Sequence, residues 1–190
     1  METLFPIEPV YPPGFVYQPD FISLQEEEEL TRLITSSIQL HTFQFQGYQA
    51  KRKVASFGYD WSFEKRTLSK GKDIPEAFQG IIKKVSDYLS LPVSTFAELL
   101  VTEYPEGSMI NWHRDAPPFD LVVGLSLMSD CTFRFRPHDK SKQGRKSVIA
   151  FPVKRRSMYI IKGPARTDWQ HSIDPVKSIR YSITLRTLRA

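Results

Sequence analysis

The 190-residue sequence has one cysteine, Cys131, so no disulfide can close within it and a reducing compartment is expected, cytoplasmic, or nuclear in a eukaryote. No apolar run approaches the roughly 18 residues that span a bilayer. Residues 1–15, METLFPIEPVYPPGF, also lack the basic-then-apolar order of a secretory signal, so no membrane association is expected. Only nine glycines occur, and none builds a Gly-rich phosphate loop. Histidine is scarcer still, with four residues, which restricts where imidazole chemistry can sit. Internal repeats and long low-complexity tracts are absent.

The remaining composition, 41% hydrophobic and 25% charged, is that of a globular domain long enough to bury one core unaided. A monomer is expected. A net charge of +5 tilts the chain toward a polyanionic partner, although charge alone selects none. Five prolines (Pro6, Pro9, Pro12, Pro13 and Pro19) mark residues 1–19 as an extended arm, leaving 20–190 as a single domain. Ser23 and Glu26 form a capping-box pattern ahead of Leu30, Leu33 and Ile34, which predicts a helix. A second helix starts at Pro75 and carries the apolar stripe Ala77, Phe78, Ile81, Ile82, Val85, Tyr88 and Leu89. Beyond Pro92 the chain reads as short strands: ELLVTEY, LVVGLSL, CTFRFR, SVIAF, SMYIIK and IRYSITLR. Two helices followed by about six strands predict an α+β domain, a double-sheet jelly roll (double-stranded β-helix) or barrel buttressed by N-terminal helices.

The chemistry concentrates in YPEGSMINWHRD. In extended chain His113 and Asp115 project to one side and Arg114 to the other. With one more histidine they would complete the 2-His-1-carboxylate set of non-haem Fe(II) oxygenases, and His171, 58 residues on in TDWQHSI, is the natural third ligand. His41 and His138 lie in polar or solvated segments and read as bystanders. On RYSITLR, Arg180, Ser182, Thr184 and Arg186 share one face and Tyr181, Ile183 and Leu185 the other. Two arginines on one polar face suit a barrel interior that holds a dicarboxylate, because the guanidinium fork grips a carboxylate with two bonds. In KRKVASFGYDW, Lys51, Arg52 and Lys53 are phosphate-contact candidates, and the alternating Phe57, Tyr59 and Trp61 could form one stacking face. Trp112 reads as packing, and Trp169 as near the pocket.

These segments together resemble the AlkB family of Fe(II)- and 2-oxoglutarate-dependent dioxygenases, over roughly residues 15 to 188. The resemblance rests on TEYPEGSMINWHRD, WQHSI and the R-x-x-x-x-x-R pattern of RYSITLR. FQGYQAKRKVASFGYDW looks like the family's nucleotide-recognition segment, taken as residues 43–63. It implies that His113, Asp115 and His171 bind iron and that Arg180 holds the distal carboxylate of 2-oxoglutarate. Tyr104 and Ser182 would add hydrogen bonds, Arg186 would sit near the metal-chelating carboxylate, and Thr102 stands where many relatives have Asn. The implied activity is oxidative demethylation of N-alkylated bases in DNA or RNA with Fe(II), 2-oxoglutarate and O2, releasing formaldehyde, succinate and CO2. Where several repair members place acidic residues after H-x-D, this chain has Ala116, Pro117 and Pro118, with Asp120 as a substitute. A dioxygenase of protein or other substrates, and a non-enzymatic nucleic-acid-binding module, are the rival readings.

Overall fold

In the computed structural model, residues 10–189 other than Gln46 are described. The proline-rich arm expected at 1–19 therefore lies partly outside them, Pro6 and Pro9 included. Its last part is not an arm. Phe15–Gln18 forms strand β1, which pairs antiparallel with β10 (Met158–Ile161), and Phe15 is buried in the core. The Phe15 ring, packed edge-on to Phe135, draws the segment into the sheet despite its flanking prolines.

The capping box at Ser23 is formed: Glu26 N–H donates to Ser23 Oγ and Ser23 N–H to the Glu26 carboxylate. It opens helix α1 (Leu24–Ser37), which buries Leu30 and Ile34. A 3-10 turn at Glu76–Phe78 leads into α2 (Gln79–Leu89), with Phe78, Ile81, Ile82 and Val85 buried. Ala77 and Tyr88, at the margins of the expected stripe, are exposed. Both helices pack on the outer face of a large antiparallel sheet, in one core with Leu99, Val101, Tyr181, Ile183 and Leu185.

That sheet has the order β1-β10-β7-β12-β5-β3-β2, where β2 is His41–Phe45, β3 Tyr48–Ser62, β5 Phe96–Tyr104, β7 Phe119–Leu127 and β12 Arg180–Leu188. Strand β4 (Thr67–Lys70) hangs from the end of β3. A second antiparallel sheet, β6-β11-β8-β9, consists of Ile110–His113, Trp169–Ile173, Cys131–Pro137 and Ile149–Val153. Its inner face closes on the first sheet through Phe133, Phe135, Phe151, Tyr159 and Ile161. Two facing antiparallel sheets with helices on one outer side make the expected jelly roll. More strands are present than the six sequence runs, because β1 to β4, β6 and β11 are short, polar or interrupted. No helix among the described residues is long and apolar enough to cross a membrane.

Candidate active site

Strand pairing brings the chemistry together. Strands β6 and β11 are antiparallel neighbours with His113 opposite His171, so residues 58 apart in sequence become adjacent. Their rings stand 4.3 Å apart between centroids. His113 Nδ1 lies 2.8 Å from the Asn111 carbonyl. A carbonyl can only accept, so Nδ1 carries the proton and the Nε2 lone pair is left free. The chain leaves β-structure after His113, and Asp115 turns inward, with Oδ2 at 3.6 Å from His171 Nε2. Arg114 does not face away as the alternation implied: it lines the cavity and donates to the Thr167 carbonyl at 2.8 Å.

Arg186 binds Asp115 Oδ1 through Nε and Nη2 at 3.1 and 2.8 Å, and Glu98 through Nη1 at 2.6 Å. Burial alone would raise the Asp115 pKa, but Arg186, the two histidines and Arg166 more than offset it and hold the carboxyl well below its ordinary range. Burial, with His113 adding to it, pushes His171 down to about 3, so its imidazole is neutral. Burial opposes the charge on Arg186, yet Glu98 and Asp115 raise its pKa overall. The pKa of Glu98 is itself raised by burial, against the pull of Arg186.

Two neutral imidazoles and a carboxylate are the donor set of a facial Fe(II) site. Among the described residues, Asp115 Oδ2 is buried with no hydrogen-bond partner, as is His171 Nδ1. An orphaned carboxylate oxygen is expensive to bury unless a cation meets it, so the residues fit a divalent metal. Among the described residues no three such side chains already meet at metal-binding distances. The backbones of His113 and His171 are nevertheless in register, which keeps the two imidazoles side by side.

A cavity of about 160 Å³ runs from this cluster between the sheets, walled by Thr102, Tyr104, Phe133, Tyr159 and Thr184 among others. Beyond Tyr104, whose ring lies 4.9 Å from its guanidinium carbon, sits Arg180, fully buried. Arg180 Nε donates to Ser126 Oγ at 2.9 Å, while Nη1 and Nη2 are buried without a hydrogen-bond partner among the described residues.

A paired-histidine and carboxylate cluster beside an unsatisfied guanidinium agrees with what comparison finds. The family profile of the 2OG-Fe(II) oxygenase superfamily matches residues 14–187. The chain belongs to this superfamily. Membership implies Fe(II), 2-oxoglutarate and O2 as its cofactor and co-substrates. The chain is 28% identical over 210 residues to the Arabidopsis thaliana protein named "Alkylated DNA repair protein ALKBH8 homolog", covering 93% of this chain and 59% of the relative. It is 26% identical over 156 residues to "DNA oxidative demethylase ALKBH2" of Homo sapiens, covering 74% and 58%. The chain thus spans less than two thirds of either relative. The solved structure of OsALKBH1 superposes with a TM-score of 0.73 at 16% identity, over 96% of this chain and all of that one, which shows the shared fold.

The cavity takes in His113, Asp115, His171, Tyr104, Thr102 and Arg186, whereas Arg180 is not among its walls. Ser182 is buried between Arg180 and Thr184 but is not a cavity wall. The recognition segment divides. Arg52 lines the cavity, with its guanidinium 4.1 Å from the Phe43 ring centroid. Lys53 points to the helix side instead, ion-paired with Glu103 at 3.0 Å, and Lys51 is exposed beside the Gly107 turn. Phe57 also packs on the helix side, against the core, so the shared aromatic face does not form. The cause is Gly58. Its φ of +82° and its contact with the backbone of Ala97 re-aim β3, and Trp61 reaches the open cleft at the cavity mouth while Tyr59 does not. That cleft, about 710 Å³, is lined by Trp61, Phe63, Arg66, Arg114, Asp115, Pro117 and Arg189. Asp120 is exposed and lines neither space. Trp169 packs against the inter-sheet core rather than the cavity, and Trp112 lies under Arg134 and Arg136.

Sequence reasoning missed Glu98 and Tyr159. Glu98 sits in an apolar run, and only strand register reveals it opposite Arg186. Tyr159 stands opposite Gly124, where a Cβ would come within 2.1 Å of its ring, so this glycine makes room for a cavity wall.

Proposed function

We propose that this chain is an oxidative demethylase of N-alkylated bases in DNA or RNA, in which His113, Asp115 and His171 hold Fe(II) and Arg180, Tyr104 and Thr102 hold 2-oxoglutarate. The observation that carries the site is Arg180. A buried guanidinium with two unpartnered nitrogens is costly, and a carboxylate gripped by both nitrogens would satisfy it. When bound, iron and 2-oxoglutarate supply O2-driven oxidation of a C–H bond, and an N-methyl carbon so oxidised leaves as formaldehyde.

The chain's own residues prepare this step. Arg186 holds Asp115 Oδ1 and leaves Oδ2 for the metal, while the Asn111 carbonyl fixes the His113 tautomer. Phe43, Val54 and Ile110 give the cavity apolar walls that exclude water. A base must leave its stack to enter, and Trp61 and Phe63 at the mouth offer it aromatic surface. Arg66, Arg114 and Arg189 beside them offer contacts for the flanking phosphates. Relatives named for alkylated-DNA repair and DNA demethylation support the same substrate class.

Anaerobic addition of Fe(II) and 2-oxoglutarate should give the visible charge-transfer band of the chelate, and His171→Ala should abolish it. Methylated oligonucleotides, DNA and RNA, should then release formaldehyde in air. A band that survives His171→Ala overturns the metal assignment. Turnover of 2-oxoglutarate with a protein or small molecule, and with no oligonucleotide, overturns the substrate assignment.

A further inference from the structure

The charge of the cavity walls bears on which bases it can admit. The walls carry three arginines, Arg52, Arg114 and Arg186, against one carboxylate, Asp115. That carboxylate is committed, with Oδ1 bound by Arg186 and Oδ2 turned toward His171 as the oxygen the proposed metal site uses. The acids nearby are committed too. Glu98 is held by Arg186 and Ser56 behind the wall, and Glu103 by Lys53 and Tyr181 on the other face of the sheet. Among the described residues, the cavity walls therefore offer no uncommitted carboxylate to a positively charged base.

Arg52 stands apart from the other two arginines. Arg186 is saturated by its two carboxylates, and Arg114, which spends one N–H on the Thr167 carbonyl, stands at the mouth where the cavity meets the open cleft. Arg52, among the described residues, makes no hydrogen bond or ion pair, and it is half-buried in the wall with its guanidinium against the Phe43 ring. A guanidinium held over an aromatic face keeps its N–H groups available to donate, and this one belongs to the cavity wall. Such a group binds an acceptor oxygen and repels both a cation and a facing N–H donor.

We propose that Arg52 is a specificity-determining residue that selects uncharged or anionic N-alkylated bases presenting a carbonyl or carboxylate oxygen, and rejects cationic ones. The proposal rests on the demethylase reading above and refines it. In an N3-methylated uracil, the C4 carbonyl beside the methyl group accepts from Arg52. In the N3-methylated cytosine of the same shape, that position carries an amino group and the ring is positively charged at neutral pH. Charge and hydrogen-bond polarity then oppose binding together, and a site whose donor is left unmatched discriminates strongly.

The test uses two single-stranded oligodeoxynucleotides identical except for one residue, 3-methyluracil or 3-methylcytosine, with the full chain, Fe(II) and 2-oxoglutarate. Restored base is measured by mass spectrometry, and oligonucleotide affinity by fluorescence anisotropy. We expect kcat/KM and affinity to favour 3-methyluracil by about tenfold or more. Arg52→Met should bring the ratio near one, chiefly by weakening 3-methyluracil, and Arg52→Lys should keep its direction. Because each ratio is taken within one variant, loss of folded protein cancels. A wild-type ratio that is even or favours 3-methylcytosine, or an Arg52→Met ratio equal to wild type, overturns the proposal while leaving demethylation standing. Absence of restored base from both oligonucleotides overturns the demethylase reading, and this proposal with it.

Discussion

Arg180 and Arg186 project from one face of β12 and meet opposite fates. Arg186 is satisfied inside the protein by Glu98 and Asp115, whereas Arg180 keeps two nitrogens unpaired. Substitution should separate the two roles. Arg180→Met replaces an uncompensated buried charge with an apolar chain, so stability should hold or rise while 2-oxoglutarate affinity falls by about 100-fold. Titration of the charge-transfer band reads the affinity and thermal unfolding the stability; affinity within about threefold of wild type would sink the assignment. Arg186→Met leaves two buried carboxylates unpaired and should cost about 3–5 kcal/mol in denaturant unfolding. On the opposite face of β12, Tyr181 Oη donates to Glu103 at 3.0 Å, and burial with this bond pushes its pKa up to about 12. The folded state then holds its proton more tightly than the unfolded chain, which releases it near pH 10. The stability contributed is complete below about pH 10 and is lost as pH rises toward 12. Unfolding followed across that range should show a shallower decline in Tyr181→Phe, and an unchanged slope would remove Tyr181 from the account.

At the scale of elements, the parts visible in sequence are those where local chemistry and tertiary context agree. The helix α1 was legible because its capping box needs only Ser23 and Glu26, four positions of backbone apart from any neighbour. Strand β12 was legible because the helix-side core takes one face and the cavity the other, so alternation alone sorts polar from apolar. The histidine pair was legible from its scarcity, although its adjacency is a property of the β6 and β11 pairing. Lys53, Phe57 and Glu98 were not legible, because their directions depend on register against β5 and on one glycine. At Gly58 the φ is +82° and a Cβ would stand 2.1 Å from the Ala97 carbonyl oxygen. The Gly58 N–H also donates to the Lys72 carbonyl, tying β3 to the chain beyond β4. Gly58→Ala should cost on the order of 3 kcal/mol through strain and overpacking. It should also displace Trp61 from the mouth, weakening oligonucleotide binding more than 2-oxoglutarate binding. Equal affinities for both ligands in wild type and variant would mean that the Gly58 conformation does not aim the aromatic.

Across the whole molecule, the net charge of +5 acquires meaning from where the cations lie. Arg66, Arg114 and Arg189 ring the open cleft beside Trp61 and Phe63. A second concentration, Lys140, Lys142, Arg145 and Lys146, sits on the connection between β8 and β9, where Lys142 approaches Asp139 at 3.8 Å. Only the first set borders the cavity, so a strand threading a base inward should lay its phosphates there. Each phosphate neutralised on a single strand contributes about −0.7 to the slope of log K against log salt, so three contacts predict a slope near −2. Replacing Arg66, Arg114 and Arg189 together with Gln should weaken binding and flatten that slope toward zero, read by anisotropy of an unmodified oligonucleotide between low and moderate salt. Replacing the four cations of the connecting loop should leave the slope in place. The reverse outcome would move the nucleic-acid track to the connection between β8 and β9 and detach the cleft from substrate entry.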